Sequence, residues 1–152
     1  MAEFDYQNIE AWNTALKLAT NVGRLKIGSN LKASADAQQR AYEQAGMACA
    51  LIAEGSGREG PAQVGMYRDA RGALAQCRSW LHILASVTNE SDAVFAMELE
   101  LAEQAARQLS NAIRNAERAP GPGAGPGPAR PPLRGGPPPA PRPSSARPGG
   151  PR

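Results

Sequence analysis

Thirteen of the 14 prolines in this 152-residue chain lie at or beyond Pro120, and the one exception is Pro61. Residues 1–119 are therefore almost free of the residue that removes a backbone donor and breaks helices. Eight of the 16 glycines also fall beyond residue 119, where Leu133 is the only large aliphatic residue and no aromatic occurs. Such a segment cannot bury enough apolar surface to offset the entropy of ordering it. The expected organisation is a folded unit at 1–119 and a disordered Pro/Gly/Arg-rich tail at 120–152.

Charge divides at the same point. Residues 1–119 hold 12 Lys/Arg and all 14 Asp/Glu, a balance of −2, whereas the tail carries Arg130, Arg134, Arg142, Arg147 and Arg152 and no acid. The basic character of the chain, which would otherwise suggest a nucleic-acid footprint, belongs to the tail.

Within 1–119, apolar residues recur every three or four positions, and no stretch alternates as a strand would. The first helix is expected from about Asn8 to Ile27, with the stripe Ile9, Trp12, Leu16, Ala19 and Val22, and a stop at Gly28-Ser29-Asn30. The second runs from about Ala35 to Glu54, with Ser34 as N-cap and Ala41, Ala45, Ala48 and Ile52 as its stripe, widened by Tyr42 and Cys49. Gly55-Ser56-Gly57 ends it. Pro61 suits the first turn of a third helix, where Tyr67, Ala70, Leu74, Cys77, Leu81 and Leu84 form an a/d seam. The fourth runs from about Asp92 to Arg118, capped by Asn89 or Ser91. Val94, Met97, Leu101, Ala105, Leu109, Ala112 and Ala116 mark its buried side, widened by Phe95, Leu99, Ala102, Ala106 and Ile113. Short connections favour antiparallel neighbours. The fold class that follows is all-α, an antiparallel up-down-up-down four-helix bundle with a disordered C-terminal tail.

The third helix carries a second stripe beside its seam: Met66, Ala73, Trp80 and Val87, each seven residues apart. Two adjacent apolar stripes bury more than one side. The surplus either widens the core or faces another subunit.

Motifs of catalysis are missing. Gly55-Ser56-Gly57-Arg58-Glu59-Gly60 matches the spacing G-x-G-x-x-G, but a helix precedes it where a dinucleotide site needs a strand, so it reads as a helix end and a turn. His82 is the only histidine and has Ser79, not Glu, three residues before it; a bundle metal site would need Glu-x-x-His pairs. Cys49 and Cys77 sit in apolar helical contexts, as buried thiols do. No cofactor, small-molecule substrate or enzymatic activity is expected. The longest apolar run, Met47–Ala53, is far short of a membrane span, and the first ten residues carry acids and no base, so the expected compartment is a reducing cytoplasm.

Arg58, Arg68, Arg71 and Arg78 are the candidate nucleic-acid contacts of the folded part. Arg71 and Arg78 share a helix face, and Arg68 is one turn away. Such a strip either meets phosphates or pairs with Asp69, Glu54 or Glu59. The tail arginines, including one Arg-Gly-Gly at Arg134–Gly136, suit RNA through phosphate attraction, although no aromatic is there to stack on bases. A Pro-rich stretch also serves as a linker or a polyproline ligand.

Gln44–Arg58 reads QAGMACALIAEGSGR and Tyr67–Gln76 reads YRDARGALAQ, preceded by Phe4 and by Ile9 and Trp12. Over roughly residues 4–115 this resembles the bacterial four-helix-bundle family first described from reading frames inserted in large-subunit ribosomal RNA genes. That family includes the accessory variability determinant of diversity-generating retroelements. Ile52, Ala53, Glu54 and Gly55, with Ala70, Arg71 and Gly72, carry the resemblance. The family's polar positions fall here on Met47, Leu51, Ala73 and Gln76, so any hydrogen-bonded network those groups form is altered. The resemblance implies a left-handed bundle that assembles as a ring-shaped homo-oligomer, a homopentamer. It further implies, for the retroelement members, binding of RNA and a reverse transcriptase. Glu54 and Arg71 are expected to pair.

Overall fold

The computed structural model describes residues 5–118, which form four helices. Helix α1 spans Glu10–Arg24, α2 Lys32–Ser56, α3 Gly60–Val87 and α4 Ala96–Arg118. Single 3-10 turns precede α1 (Tyr6–Asn8) and α4 (Asp92–Phe95). Among the described residues there is no strand. The tail expected at 120–152, with all five of its arginines, lies outside the described residues, as does Phe4.

Each helix packs on its neighbours in sequence, and α4 returns to α1, which closes the ring of four. Pairing runs antiparallel at each seam. Gly23 lies against Tyr42 across α1–α2, Gly55 against Met66 across α2–α3, and Arg68 and Arg78 reach Glu117 and Glu103 across α3–α4. This is the up-down-up-down bundle.

Helix ends differ from the sequence expectation in informative ways. Helix α2 begins before Ser34, whose buried hydroxyl donates to Ser29 Oγ at 3.0 Å; Ser29 Oγ also accepts from the Leu31 amide at 3.2 Å. Ser29, not Ser34, thus holds the entry to α2. At the other end the helix continues through Gly55 and Ser56 to a C-cap at Gly57. Gly60 then takes a left-handed φ of +60°, which suits a glycine, and Pro61 opens α3. Ser91 accepts from the Ala93 amide at 3.3 Å, but it caps the short 3-10 turn and not α4 itself.

The core is built from small residues on one side and large ones on the other. On α2 it is lined by Ala37, Ala41, Ala45, Ala48 and Ile52, and on α3 by Tyr67, Ala70, Leu74, Cys77, Leu81 and Leu84, all buried. The a/d seam read from the sequence is thus the buried face of α3. Alanines on α2 let the two backbones approach closely, and the bulk of α3 fills the space between.

Two stripes need correction. On α1 the core face is Ala11, Ala15, Leu18 and Val22, whereas Leu16 is 42% exposed. Helix α1 has apolar residues on two faces, and the bundle takes the one rich in alanine. Of the residues expected to open the buried side of the fourth helix, Val94 in the 3-10 turn and Met97 on α4 are 54% and 66% exposed. The 3-10 turn shifts the register there, so Phe95 enters the core and the buried face continues as Ala102, Ala105, Leu109 and Ile113. Glu98 is also buried on α4.

Two members of the second stripe of α3, Met66 and Trp80, meet α2. Ala73 is buried, while Met66, Trp80 and Val87 are half-buried. Met66 meets Gly55, and the Arg40 guanidinium sits 6.0 Å from the centre of the Trp80 ring. Met66 and Trp80 thus meet α2 within one protomer.

Candidate functional site

The residues of the family-like motif meet at the lower end of the α2–α3 seam. Ile52, Gly55 and Ala70 are buried, and Ala53 is half-buried. Glu54, Arg71 and Gly72 are exposed. A Cβ on Gly55 would lie 2.8 Å from Met66 Cβ and 2.9 Å from Tyr67 Cε1. Glycine is what lets α2 end against the first turns of α3. Gly72 has no such contact. The motif is thus split between packing residues and a polar pair that the fold separates. Glu54 binds Arg58 one turn on, at 2.7 Å, and Arg71 donates to Ser110 of α4 at 3.1 Å. The expected Glu54–Arg71 pair does not form, because Glu54 sits on the outer side of α2 and Arg71 on the side of α3 turned to α4.

Of the four positions where the resemblance would lead one to expect polar residues, only Ala73 is buried; Leu51 is half-buried and Met47 and Gln76 are exposed.

The arginines of α3 form one strip, but their partners are not the acids nearest in sequence. Arg68 pairs with Glu117 at 2.6 Å and Arg78 with Glu103 at 2.7 Å, both on α4. Arg107 joins them from α4 and reaches Glu100 at 2.9 Å and Glu103 at 3.8 Å. Arg114, also on α4, donates to Asn111. The sequence strip is therefore half of an arginine-lined face whose other half is α4, and Arg107 and Arg114 were missed. Their seven-residue spacing, the same as that of Arg71 and Arg78, was the available signal. Arg58 stands apart, paired with Glu54.

Along α1–α2 runs a different surface. Trp12, Leu16 and Gly23 share one face of α1, four and seven residues apart, and the Tyr42 ring lies over Gly23. Tyr42 shares its own face with Cys49, seven residues on. Leu16 and Tyr42 are 42% and 45% exposed. Tyr6 packs edge-on against Trp12 with ring centres 5.0 Å apart. The shallow groove beside Tyr42 is also lined by Thr20, Arg24, Gln38 and Gln39, so its walls are largely polar.

Chemically reactive groups are muted. Burial pushes the Cys77 thiol up to about 12 and the Cys49 thiol up to about 11, so both stay protonated at neutral pH. His82 Nδ1 lies 3.1 Å from Asp92 Oδ2 at the surface, an arrangement that fastens the 3-10 turn to α3. Among the described residues no three His, Cys, Asp or Glu side chains gather as a metal site, and no helix is long and apolar enough to cross a membrane.

No family model, no curated protein and no solved structure matches this chain.

Proposed function

We propose that this chain is a non-enzymatic, self-associating four-helix-bundle module of the cytoplasm, one that assembles with copies of itself as a ring-shaped homo-oligomer. The observation that carries the reading is the apolar strip left outside the closed bundle along α1–α2, where Leu16 and Tyr42 are exposed beside half-buried Trp12 and Cys49. Large apolar side chains grouped on one seam mark interaction surfaces. The resemblance carried by Ile52–Gly55 and Ala70–Gly72 agrees with a ring, a homopentamer in the family. A ring joins two different patches head to tail. Met47 on α2 and Ile83 on α3 are also exposed, and either is a candidate for the second patch. The subunit face thereby moves from Met66, Ala73, Trp80 and Val87 to α1–α2. Light scattering on the full chain at micromolar concentration tests this: an oligomer that Leu16→Glu dissociates supports it, and a monomer overturns it.

A second reading is an RNA-binding accessory protein, acting with ribosomal RNA or a reverse transcriptase. The arginine face of α3–α4 favours it, with Arg68, Arg71 and Arg78 to set position and the tail arginines to add general attraction. Binding would weaken steeply with salt and with replacement of the five tail arginines by glutamine. No RNA retained at low salt would remove this reading.

A further inference from the structure

We propose that the cleft between α3 and α4 is an oxyanion site for a phosphate group, held by Arg71 and Arg114. The cleft measures about 400 Å³ and is lined by Arg78, Glu103, Arg107, Ser110 and Arg114 among others. Arg71 reaches its rim through the bond to Ser110 Oγ.

The arginines of this face fall into two groups. Arg68, Arg78 and Arg107 have carboxylate partners. Among the described residues, Arg71 and Arg114 bond to neutral groups, Ser110 and Asn111. Each guanidinium offers five N–H donors in a planar fork that matches a phosphate edge, and these two use one apiece on protein side chains.

Charge at the cleft has the sign an anion needs. Arg71, Arg78, Arg107 and Arg114 face two carboxylates, Glu100 and Glu103, a local surplus of positive charge on a folded unit whose balance is −2. Glu103 is not free to repel a ligand, because Arg78 and Arg107 both hold it. Seven residues separate Arg71 from Arg78 and Arg107 from Arg114, about 10.5 Å along each helix. Two antiparallel helices thus present guanidinium groups on both walls of one cleft. This inference extends the second reading above, but a free phosphate ester would satisfy the same donors.

The test follows the arginine Nε–H resonances of the isotopically labelled full chain as sodium phosphate replaces chloride at constant ionic strength. Saturable shifts confined to Arg71 and Arg114, and lost at least about tenfold in affinity in the Arg71→Gln/Arg114→Gln variant, are expected; one charge-assisted bond is worth that factor. A Ser110→Glu variant, which sets a carboxylate beside Arg71, should block binding too. Uniform or non-saturating shifts at all arginines, Arg24 and Arg58 included, would overturn the site. A short single-stranded RNA added to the same sample distinguishes the sources. RNA that phosphate displaces, and that the double variant no longer binds, places a phosphodiester in the cleft. Saturable phosphate binding without RNA binding keeps the site and assigns it to a free phosphate ester. RNA binding that ignores the double variant, with no phosphate shifts, overturns the site while the RNA reading survives on the tail.

Discussion

Gly55 and Met66 meet where α2 ends and α3 begins, so closely that a Cβ on Gly55 would stand 2.8 Å from Met66 Cβ. Met66 Cβ is fixed to the backbone and cannot swing aside. Gly55→Ala therefore forces the two helices apart and is expected to destabilise the bundle by about 1–3 kcal/mol, as overpacking does. Gly46 and Gly72 lie inside α2 and α3, where an added methyl group would meet nothing within 4 Å. Alanine at either should stabilise by about 0.5–1 kcal/mol through helix propensity. Thermal melts of the three variants give opposite signs if the close approach is real.

Leu74 and Leu81 are fully buried, whereas Leu16 is 42% exposed. Leu74→Ala or Leu81→Ala should cost about 2–5 kcal/mol. Leu16→Ala should fall within about 0.5 kcal/mol while weakening self-association. Denaturant titration at low protein concentration separates the two effects.

Burial raises the Cys77 thiol from 9.0 to about 12 and the Cys49 thiol from 9.0 to about 11, and it raises the Tyr67 hydroxyl too. Below pH 9 these thiols are protonated folded or unfolded, and they contribute no pH dependence. Above it the unfolded chain releases protons that the folded chain retains, so stability falls as pH rises from about 9 towards 11–12. Melting temperature should decline over that window, less steeply in Cys77→Ala relative to its own value at pH 8. Alkylation of Cys77 at neutral pH should track global unfolding.

A pair of double-mutant cycles distinguishes the observed ion pairs from the one the sequence suggested. Glu54 and Arg58, 2.7 Å apart and half-exposed, should couple by about 0.3–0.5 kcal/mol. Glu54 and Arg71 should show no coupling, since Arg71 is turned to Ser110 on α4.

Residue periodicity was enough to place four helices and the seam from Tyr67 to Leu84, because a face that must avoid water repeats every 3.6 residues whatever it packs against. Proline content and charge were enough to part the acidic unit at 1–119 from the basic segment after it. Periodicity could not choose between two apolar faces on one helix. Leu16 and Leu18 are equally apolar, and only the packing of α1 on alanine-rich α2 put Leu18 inside and Leu16 outside. The stripe Met66, Ala73, Trp80 and Val87 likewise could not show that Met66 would meet Gly55 and Trp80 would meet Arg40 on α2. Pairing between charges was illegible for a related reason. Arg68, Arg71 and Arg78 have acids close by in sequence, yet their partners stand on α4, 25–49 residues away, brought there by an antiparallel turn. The arginine cleft exists only once that turn is made: sequence fixes which side chains a helix presents, and tertiary structure decides what stands opposite them.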